Sequence, residues 1–119
     1  MVSITLFEQA RQAMGQGALE EAITLFEQSV TDNPHFKALE LRGECLIKLG
    51  RAREAIVPLA AATTLNKGVR APALLAQVFL ELMEYHDALD IAELALSRHA
   101  GNRIALQVKK VAEAHLASL

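Results

Sequence analysis

Cysteine, aromatic residues and proline are all scarce in this sequence of 119 residues. The single cysteine, Cys45, excludes an internal disulfide and any metal site built from several cysteines, and we expect it to be a small buried apolar residue. Aromatic residues make up only 4% of the chain and tryptophan is absent. There is no sustained alternation of apolar and polar residues either, so the signal for β-strands is weak.

The sequence also lacks a long apolar run and an excess of charge of one sign. No stretch approaches eighteen uncharged apolar residues, so no membrane span is predicted. The first residues, MVSITLFEQARQAM, have no basic start and contain Glu8, which favours an ordinary first helix over a secretory signal. The net charge of −2 gives no general attraction to nucleic acid or anionic lipid. We expect a cytoplasmic protein with one domain over residues 1–119.

Helix-forming residues are abundant, and short breaker segments divide the chain into seven predicted helices. These cover about 3–14, 18–31, 35–48, 52–65, 71–83, 85–98 and 103–118, and their short loops make neighbours antiparallel. Asn33 is predicted to cap the third helix, with Pro34 in its first turn, and Asn102 to cap the seventh. Pro58 lies inside the fourth helix, where it is expected to introduce a kink.

The predicted helices repeat with a period of 33 residues. The tetrads EEAI, REAI and HDAL place Ala22, Ala55 and Ala88 at that spacing, and twelve residues before each lies a small residue: Ala10, Gly43 and Ala76. Small residues at the contact between two antiparallel helices allow the backbones to approach closely. Each helix pair is therefore expected to pack as one unit of a repeat protein.

This pattern resembles the tetratricopeptide repeat (TPR), a helix–turn–helix unit of about 34 residues. The family pattern includes an alanine followed four residues later by an aromatic residue, and a closing proline. The first copy matches it with Ala22, Phe26 and Pro34. The other two copies lack the closing proline and this aromatic residue, and none has the family's early tryptophan. The resemblance implies an all-α fold, a right-handed superhelical solenoid of antiparallel helical hairpins.

The resemblance covers residues 3–118 and divides the chain into three repeats and a cap. Repeat 1 is expected at about 3–34, repeat 2 at about 35–67, repeat 3 at about 68–101 and the capping helix at about 102–118. In the cap, Lys109 replaces the small residue, which disfavours a further closely packed helix. The chain is therefore expected to be complete, with a cap that exposes one face.

The sequence contains no pattern typical of an enzyme or a metal site. No two of its four histidines lie four residues apart, and neither a Gly-rich phosphate loop nor a Gly-x-Ser-x-Gly elbow is present. Neighbouring carboxylates such as Glu20 and Glu21 are expected on solvated helix faces. The chain is predicted to be non-catalytic and to bind no cofactor and no metal.

The resemblance implies a concave groove lined by the first helix of each pair, which in TPR proteins commonly binds an extended peptide or a helix. Carried over position by position, the groove residues would be Phe7, Arg11, Lys37, Glu40, Leu41, Glu44, Arg70, Leu74, Gln77, Glu81, Arg103, Gln107 and Lys110. Phe7 and Leu41 are the candidates to anchor an apolar side chain of the partner. The alternative is that these are ordinary solvated residues.

Some TPR domains clamp a C-terminal carboxylate with a Lys–Asn pair, a second Asn and a Lys–Arg pair. Those five places are here Phe7, Arg11, Leu41, Arg70 and Leu74, of which only Arg70 retains suitable chemistry. The sequence therefore argues against the binding of chaperone tails by that clamp. It predicts a mixed apolar and charged groove for another protein or peptide.

Charge alternates along the chain, with −4 over 1–34, +3 over 35–67, −3 over 68–101 and +2 over 102–119. Opposite charges attract adjacent repeats within one stack. The alternative is a head-to-tail or two-fold homodimer, in which the first repeat of one chain, with its apolar Ile4, Leu6 and Phe7, meets the cap of another. Three hypotheses remain: a scaffold that binds a protein segment in its groove, a homo-oligomerising module, and a TPR-type chaperone or accessory protein for one client.

Overall fold

The computed structural model describes residues 4–119, and all regular secondary structure in that range is α-helical. The helices are α1 (Leu6–Gly15), α2 (Leu19–Asp32), α3 (Phe36–Lys48), α4 (Ala52–Leu65), α5 (Arg70–Glu81), α6 (Tyr85–Arg98) and α7 (Arg103–Ala117). They follow the predicted bounds closely. The predicted start of the first helix and of repeat 1, at residue 3, lies outside the described residues.

The helices form hairpins that stack in one direction. Each helix packs against the next along the chain, so every hairpin contacts its neighbour. The molecule measures 59 × 26 × 21 Å. Its radius of gyration is 15.2 Å, against about 13.5 Å for a compact domain of this length. The all-α solenoid predicted from the repeats is confirmed.

The residues that define the period form the tightly packed core of each hairpin. Five of them have no exposed surface: Ala10, Ala22, Ala55, Ala76 and Ala88. The sixth, Gly43, is also buried, and a Cβ atom placed on it would lie 2.6 Å from the side chain of Leu59. Helices α3 and α4 therefore approach closely because position 43 has no side chain.

The turn inside each hairpin contains a residue in the left-handed conformation at the same place in the repeat. Gly17 and Gly50 have φ angles of +78° and +74°, and Met83, which replaces the glycine in repeat 3, has a φ of +59°. The residue after each donates its N–H to the carbonyl five positions back, at 2.8 to 2.9 Å. This bond closes the C-terminus of the first helix of the hairpin.

Met83→Gly is expected to stabilise the protein by about 1 kcal/mol, because the left-handed conformation costs a non-glycine residue about 1–2 kcal/mol. The Met83 side chain is 72% exposed, so its removal sacrifices little packing. Urea denaturation followed by circular dichroism measures the change. Gly50→Ala is the matched control and should lose a similar amount, since it introduces the same strain. A lower urea midpoint for Met83→Gly would contradict this account.

The capping helix α7 begins as predicted. The Oδ1 atom of Asn102 accepts a hydrogen bond from the Ala105 N–H at 2.9 Å. On one side of α7, Ala105, Val108 and Ala112 are buried, whereas Lys110 and Glu113 are exposed. The helix therefore closes the stack with one face packed and the other in solvent.

The predicted cap of α3 is wrong. Helix α3 begins at Phe36, and its N-cap residue is His35, whose side chain accepts no capping hydrogen bond. Asn33 instead ends α2 in an extended conformation, with its N–H donating to the Ser29 carbonyl at 2.9 Å. Pro34 consequently lies in the loop between the two helices and not in the first turn of α3.

Pro58 lies inside α4, which continues unbroken from Ala52 to Leu65. Its ring is among the fully buried side chains. Burial of the ring offsets part of the cost of the hydrogen bond that a proline cannot donate. An effect of Pro58 on the curvature of the groove stays a prediction.

Ion pairs join neighbouring repeats within the chain. Those that cross a repeat boundary are Arg42–Glu27 at 2.7 Å, Arg51–Glu20 at 3.1 Å, Arg53–Glu84 at 3.3 Å and Arg70–Glu44 at 2.6 Å. Arg51 also forms hydrogen bonds with Glu54, and these lower the pKa of that carboxyl. The opposite charges of the three repeats therefore form ion pairs between them, and each of these surface pairs contributes little to stability.

Candidate functional site

The first helix of each hairpin and the cap, α1, α3, α5 and α7, are the candidates for the inner face of the stack. Helix α5 contacts α3 and α7 directly, in addition to the even-numbered helices on either side of it. In a curved stack the helices that approach one another across repeats are those on the inside. All thirteen predicted groove residues lie on α1, α3, α5 or α7, and hence on the helices of this inner face.

The predicted groove residues differ in how much surface they present. Six are exposed: Arg11, Arg70, Glu81, Arg103, Gln107 and Lys110. Five are partly buried: Phe7, Lys37, Leu41, Glu44 and Gln77. Glu40 and Leu74 are only 5% and 6% exposed, so they offer a partner little surface.

Two cations of the inner face are already paired with carboxylates. The Lys37 Nζ atom lies 2.6 Å from Glu40 Oε2, and the Arg70 guanidinium lies 2.6 Å from Glu44 Oε1. A carboxylate as buried as that of Glu40 requires such a partner, because an isolated charge is costly away from water. Lys37 and Arg70 therefore have internal partners that a ligand would have to displace.

Three other cations of the inner face have no carboxylate within 4.0 Å among residues 4–119. These are Arg11, Arg103 and Lys110, and the only acid of the predicted groove in the same situation is Glu81. The Arg11 guanidinium instead lies 6.0 Å from the centroid of the Phe7 ring, in a cation–π arrangement. The inner face thus carries a surplus of positive charge on a chain whose net charge is −2.

Phe7 belongs to an aromatic cluster that sequence reasoning missed. Its ring centroid lies 5.9 Å from that of Phe26 and 5.7 Å from that of His35, which stacks on Phe36 at 5.2 Å. A hollow of about 470 Å³ opens beside the cluster, and its lining consists of Thr5, Leu6, Phe7, Ser29, Asp32, Asn33 and His35. The adjacent pair His35–Phe36 was the only local signal, because the contact with Phe7 depends on how the first hairpin packs against the second.

Among residues 4–119, neither Cys45 nor the histidine and carboxylate side chains form a recognisable reactive or metal site. Cys45 is fully buried, and this burial raises the pKa of its thiol, while the nearby Lys48 lowers that pKa and Glu44 raises it, both to a smaller extent. The unreactive protonated form is therefore favoured. Over residues 4–119, no three His, Cys, Asp or Glu residues gather as metal ligands would. Nor does that range contain a helix with the length and apolar character needed to cross a membrane.

Solved structures share this fold at low sequence identity. The first TPR of Spaghetti (RPAP3), bound to the HSP90 peptide SRMEEVD, matches with a TM-score of 0.87 and 20% identity, over 94% of this chain and 90% of that one. For the TPR2B domain of yeast Sti1 in its complex with pHsp70, the TM-score is 0.82 and the identity is 21%, over 94% of this chain and 99% of that one. The Sgt2 TPR domain from Aspergillus fumigatus matches with a TM-score of 0.83 and 17% identity, over 94% of this chain and 77% of that one.

Family membership follows from a sequence match that runs from the end of α1 into α6. No curated protein sequence matches the chain. Residues 15–95, more than half of the chain, match the family model described as anaphase-promoting complex, cyclosome, subunit 3. The matched segment contains all three left-handed turn positions, and the structures that share the fold are TPR domains. The chain therefore belongs to the tetratricopeptide-repeat proteins, in the family described as anaphase-promoting complex, cyclosome, subunit 3.

Proposed function

We propose that the chain is a non-catalytic scaffold that binds an extended or helical segment of another protein on its inner face. The observation that carries the proposal is the arrangement of that face. Phe7 and Leu41 are partly exposed apolar residues. The other groove positions of the repeat register, on the same four helices, carry mainly charged and amide side chains. Apolar anchors within a polar rim are the usual anatomy of a protein interface.

The structures that share the fold support a peptide as the class of ligand. The Spaghetti domain is bound to an HSP90 peptide, and the Sti1 domain forms a complex with pHsp70. The five clamp positions of this chain nevertheless disfavour a tail of that kind. Leu41 and Leu74 have no polar atom in their side chains, and the Arg70 guanidinium is engaged by Glu44. We therefore propose a partner other than a C-terminal chaperone tail.

Selection from a peptide-display library tests this function. The selected peptides are synthesised and titrated against the wild type, Leu41→Ala on the inner face and Val57→Ala on α4. Val57 is 74% exposed, so its truncation is the matched control. We expect Kd to rise about tenfold for Leu41→Ala, as at an interface hot spot, and less than about twofold for Val57→Ala.

The same titration includes the peptide SRMEEVD, for which we expect no saturable binding. Circular dichroism melts establish that each variant is folded. Failure to select any peptide, or selected peptides that respond to Val57→Ala and not to Leu41→Ala, would contradict the proposal.

Association between copies of the chain stays a prediction. Of the charges that suggested it, Glu20 and Glu27 of repeat 1 pair with Arg51 and Arg42 of repeat 2 in the same chain, whereas the cations of the cap form no ion pair among the described residues. Light scattering across a dilution series tests it, since a monomer at every concentration excludes a homodimer.

A further inference from the structure

Helix α7 concentrates the uncompensated positive charge of the described residues. Five basic side chains form ion pairs: Lys37, Arg42, Arg51, Arg53 and Arg70. A sixth, Arg98, donates to the backbone carbonyls of Thr63, Asn66 and Gly68 at 3.0 to 3.1 Å. Half of the remaining six lie on α7, namely Arg103, Lys109 and Lys110, and the only acid of that helix is Glu113.

Two of these cations share one exposed stripe of α7. Arg103, Gln107 and Lys110 follow the i, i+4, i+7 spacing that places residues on the same helix face, and all three are exposed. Leu106, one position from Gln107, is 47% exposed and offers apolar surface beside the stripe. The stripe extends for about 10 Å along the helix axis. The repeat register assigns all three residues to the inner face, and α7 packs beside α5 as well as α6.

We propose that this stripe of α7 recognises an acidic segment of the partner, with two carboxylates reaching Arg103 and Lys110 and an apolar side chain on Leu106. The inference rests on the proposed function and specifies the chemistry of its ligand. In an extended peptide, side chains on the same face are separated by one or three intervening residues, about 7 or about 13 Å, so carboxylates at these spacings bracket the stripe and the flexible arginine and lysine side chains take up the difference. Recognition through side-chain carboxylates requires no free C-terminus.

Electrostatics favours this part of the inner face over its neighbours. A partner carboxylate at Lys37 or Arg70 would compete with Glu40 or Glu44, which already occupy those cations. At Arg103 and Lys110 no such competition exists among the described residues, so the gain from a new charge pair is retained. A long polyanion such as nucleic acid is less suited, because the net charge of −2 and the unpaired Glu81 repel it.

Two display libraries test the inference. The peptides of both libraries have the same apolar positions and no free C-terminus. Their polar positions carry only glutamate in one library and only lysine in the other. We expect binders from the glutamate library, with affinity that falls as salt rises from about 50 to about 300 mM. Arg103→Glu and Lys110→Glu should each weaken these binders about tenfold, whereas Lys67→Glu, the same change in charge on the exposed loop before α5, should alter Kd less than about twofold.

The outcomes separate this inference from the proposed function. Two results would overturn the inference that the ligand is acidic and leave the inner face as the binding site. One is that peptides whose binding depends on Leu41 come only from the lysine library, and the other is that Arg103→Glu and Lys110→Glu leave their Kd unchanged. Failure of both libraries would overturn the two proposals together. Tight binding of a single-stranded oligonucleotide, lost in Arg103→Glu and Lys110→Glu, would assign the stripe to nucleic acid and also overturn the inference. Circular dichroism controls for folding, and glutamate at position 103 is favourable near a helix N-terminus.

Discussion

Phe26→Ala is expected to lower the free energy of unfolding by about 3–5 kcal/mol. Phe26 is the aromatic residue of the copy that best matches the family pattern, and its side chain has no exposed surface. It packs in the largest core cluster, which extends from α1 to α5, and its ring lies 5.9 Å from that of Phe7. Truncation removes buried apolar surface and leaves a cavity in the first hairpin.

Urea denaturation of Phe26→Ala, followed by circular dichroism, measures this loss. Small domains have a free energy of unfolding of about 5–15 kcal/mol, so this loss is a large fraction of the total. The variant should therefore begin to unfold at a urea concentration far below the wild-type midpoint. Phe26→Leu should retain most of the stability, because it keeps most of the apolar volume. Val57→Ala, on an exposed position, should change stability by less than about 0.5 kcal/mol. A loss for Phe26→Ala as small as that of Val57→Ala would contradict the assigned core.

Gly43→Ala is expected to destabilise the protein by about 1–2 kcal/mol, although alanine is the better helix former by about 0.5–1 kcal/mol. The added Cβ would lie 2.6 Å from both Cγ and Cδ2 of Leu59, which is itself fully buried. The branch point of Leu59 cannot move aside as a flexible chain end would. Helices α3 and α4 must therefore separate, and the contact at the centre of repeat 2 weakens.

Gly15→Ala is the matched control for this effect. Gly15 also lies in a helix, but nothing lies within 4 Å of a Cβ placed on it. Alanine should there be neutral or stabilising by up to about 1 kcal/mol. The two variants differ in the space available and not in helix propensity. Equal effects on the urea midpoint would refute the close approach of α3 and α4 as the reason for glycine at position 43.

Local sequence signals were sufficient for the helices and their pairing. Gly17 and Gly50 end helices by adopting a conformation that other residues avoid, and the period of small residues identifies which helices touch. Met83 shows the limit of the first signal, since it adopts the left-handed conformation without being glycine. Its place in the 33-residue period, and not its residue type, indicated the turn.

The side-chain contacts of the candidate site were harder to predict from the sequence, because they form between repeats. The register placed Glu40 and Arg70 on the inner face, but not the pairing of Glu40 with Lys37 or of Arg70 with Glu44. These distances follow from the stacking of hairpins and from side-chain conformations, and they decide which cations are already engaged. The contact of Phe7 with His35 was hidden for the same reason.

Heteronuclear NMR of the labelled protein, titrated with a selected peptide, tests the central claim most directly. The claim is that the inner face of this repeat stack binds a protein segment. We predict that the perturbed amide signals belong to α1, α3, α5 and α7, with Arg103 and Lys110 among them when the peptide is acidic. Perturbations confined to α2, α4 and α6 would contradict the claim.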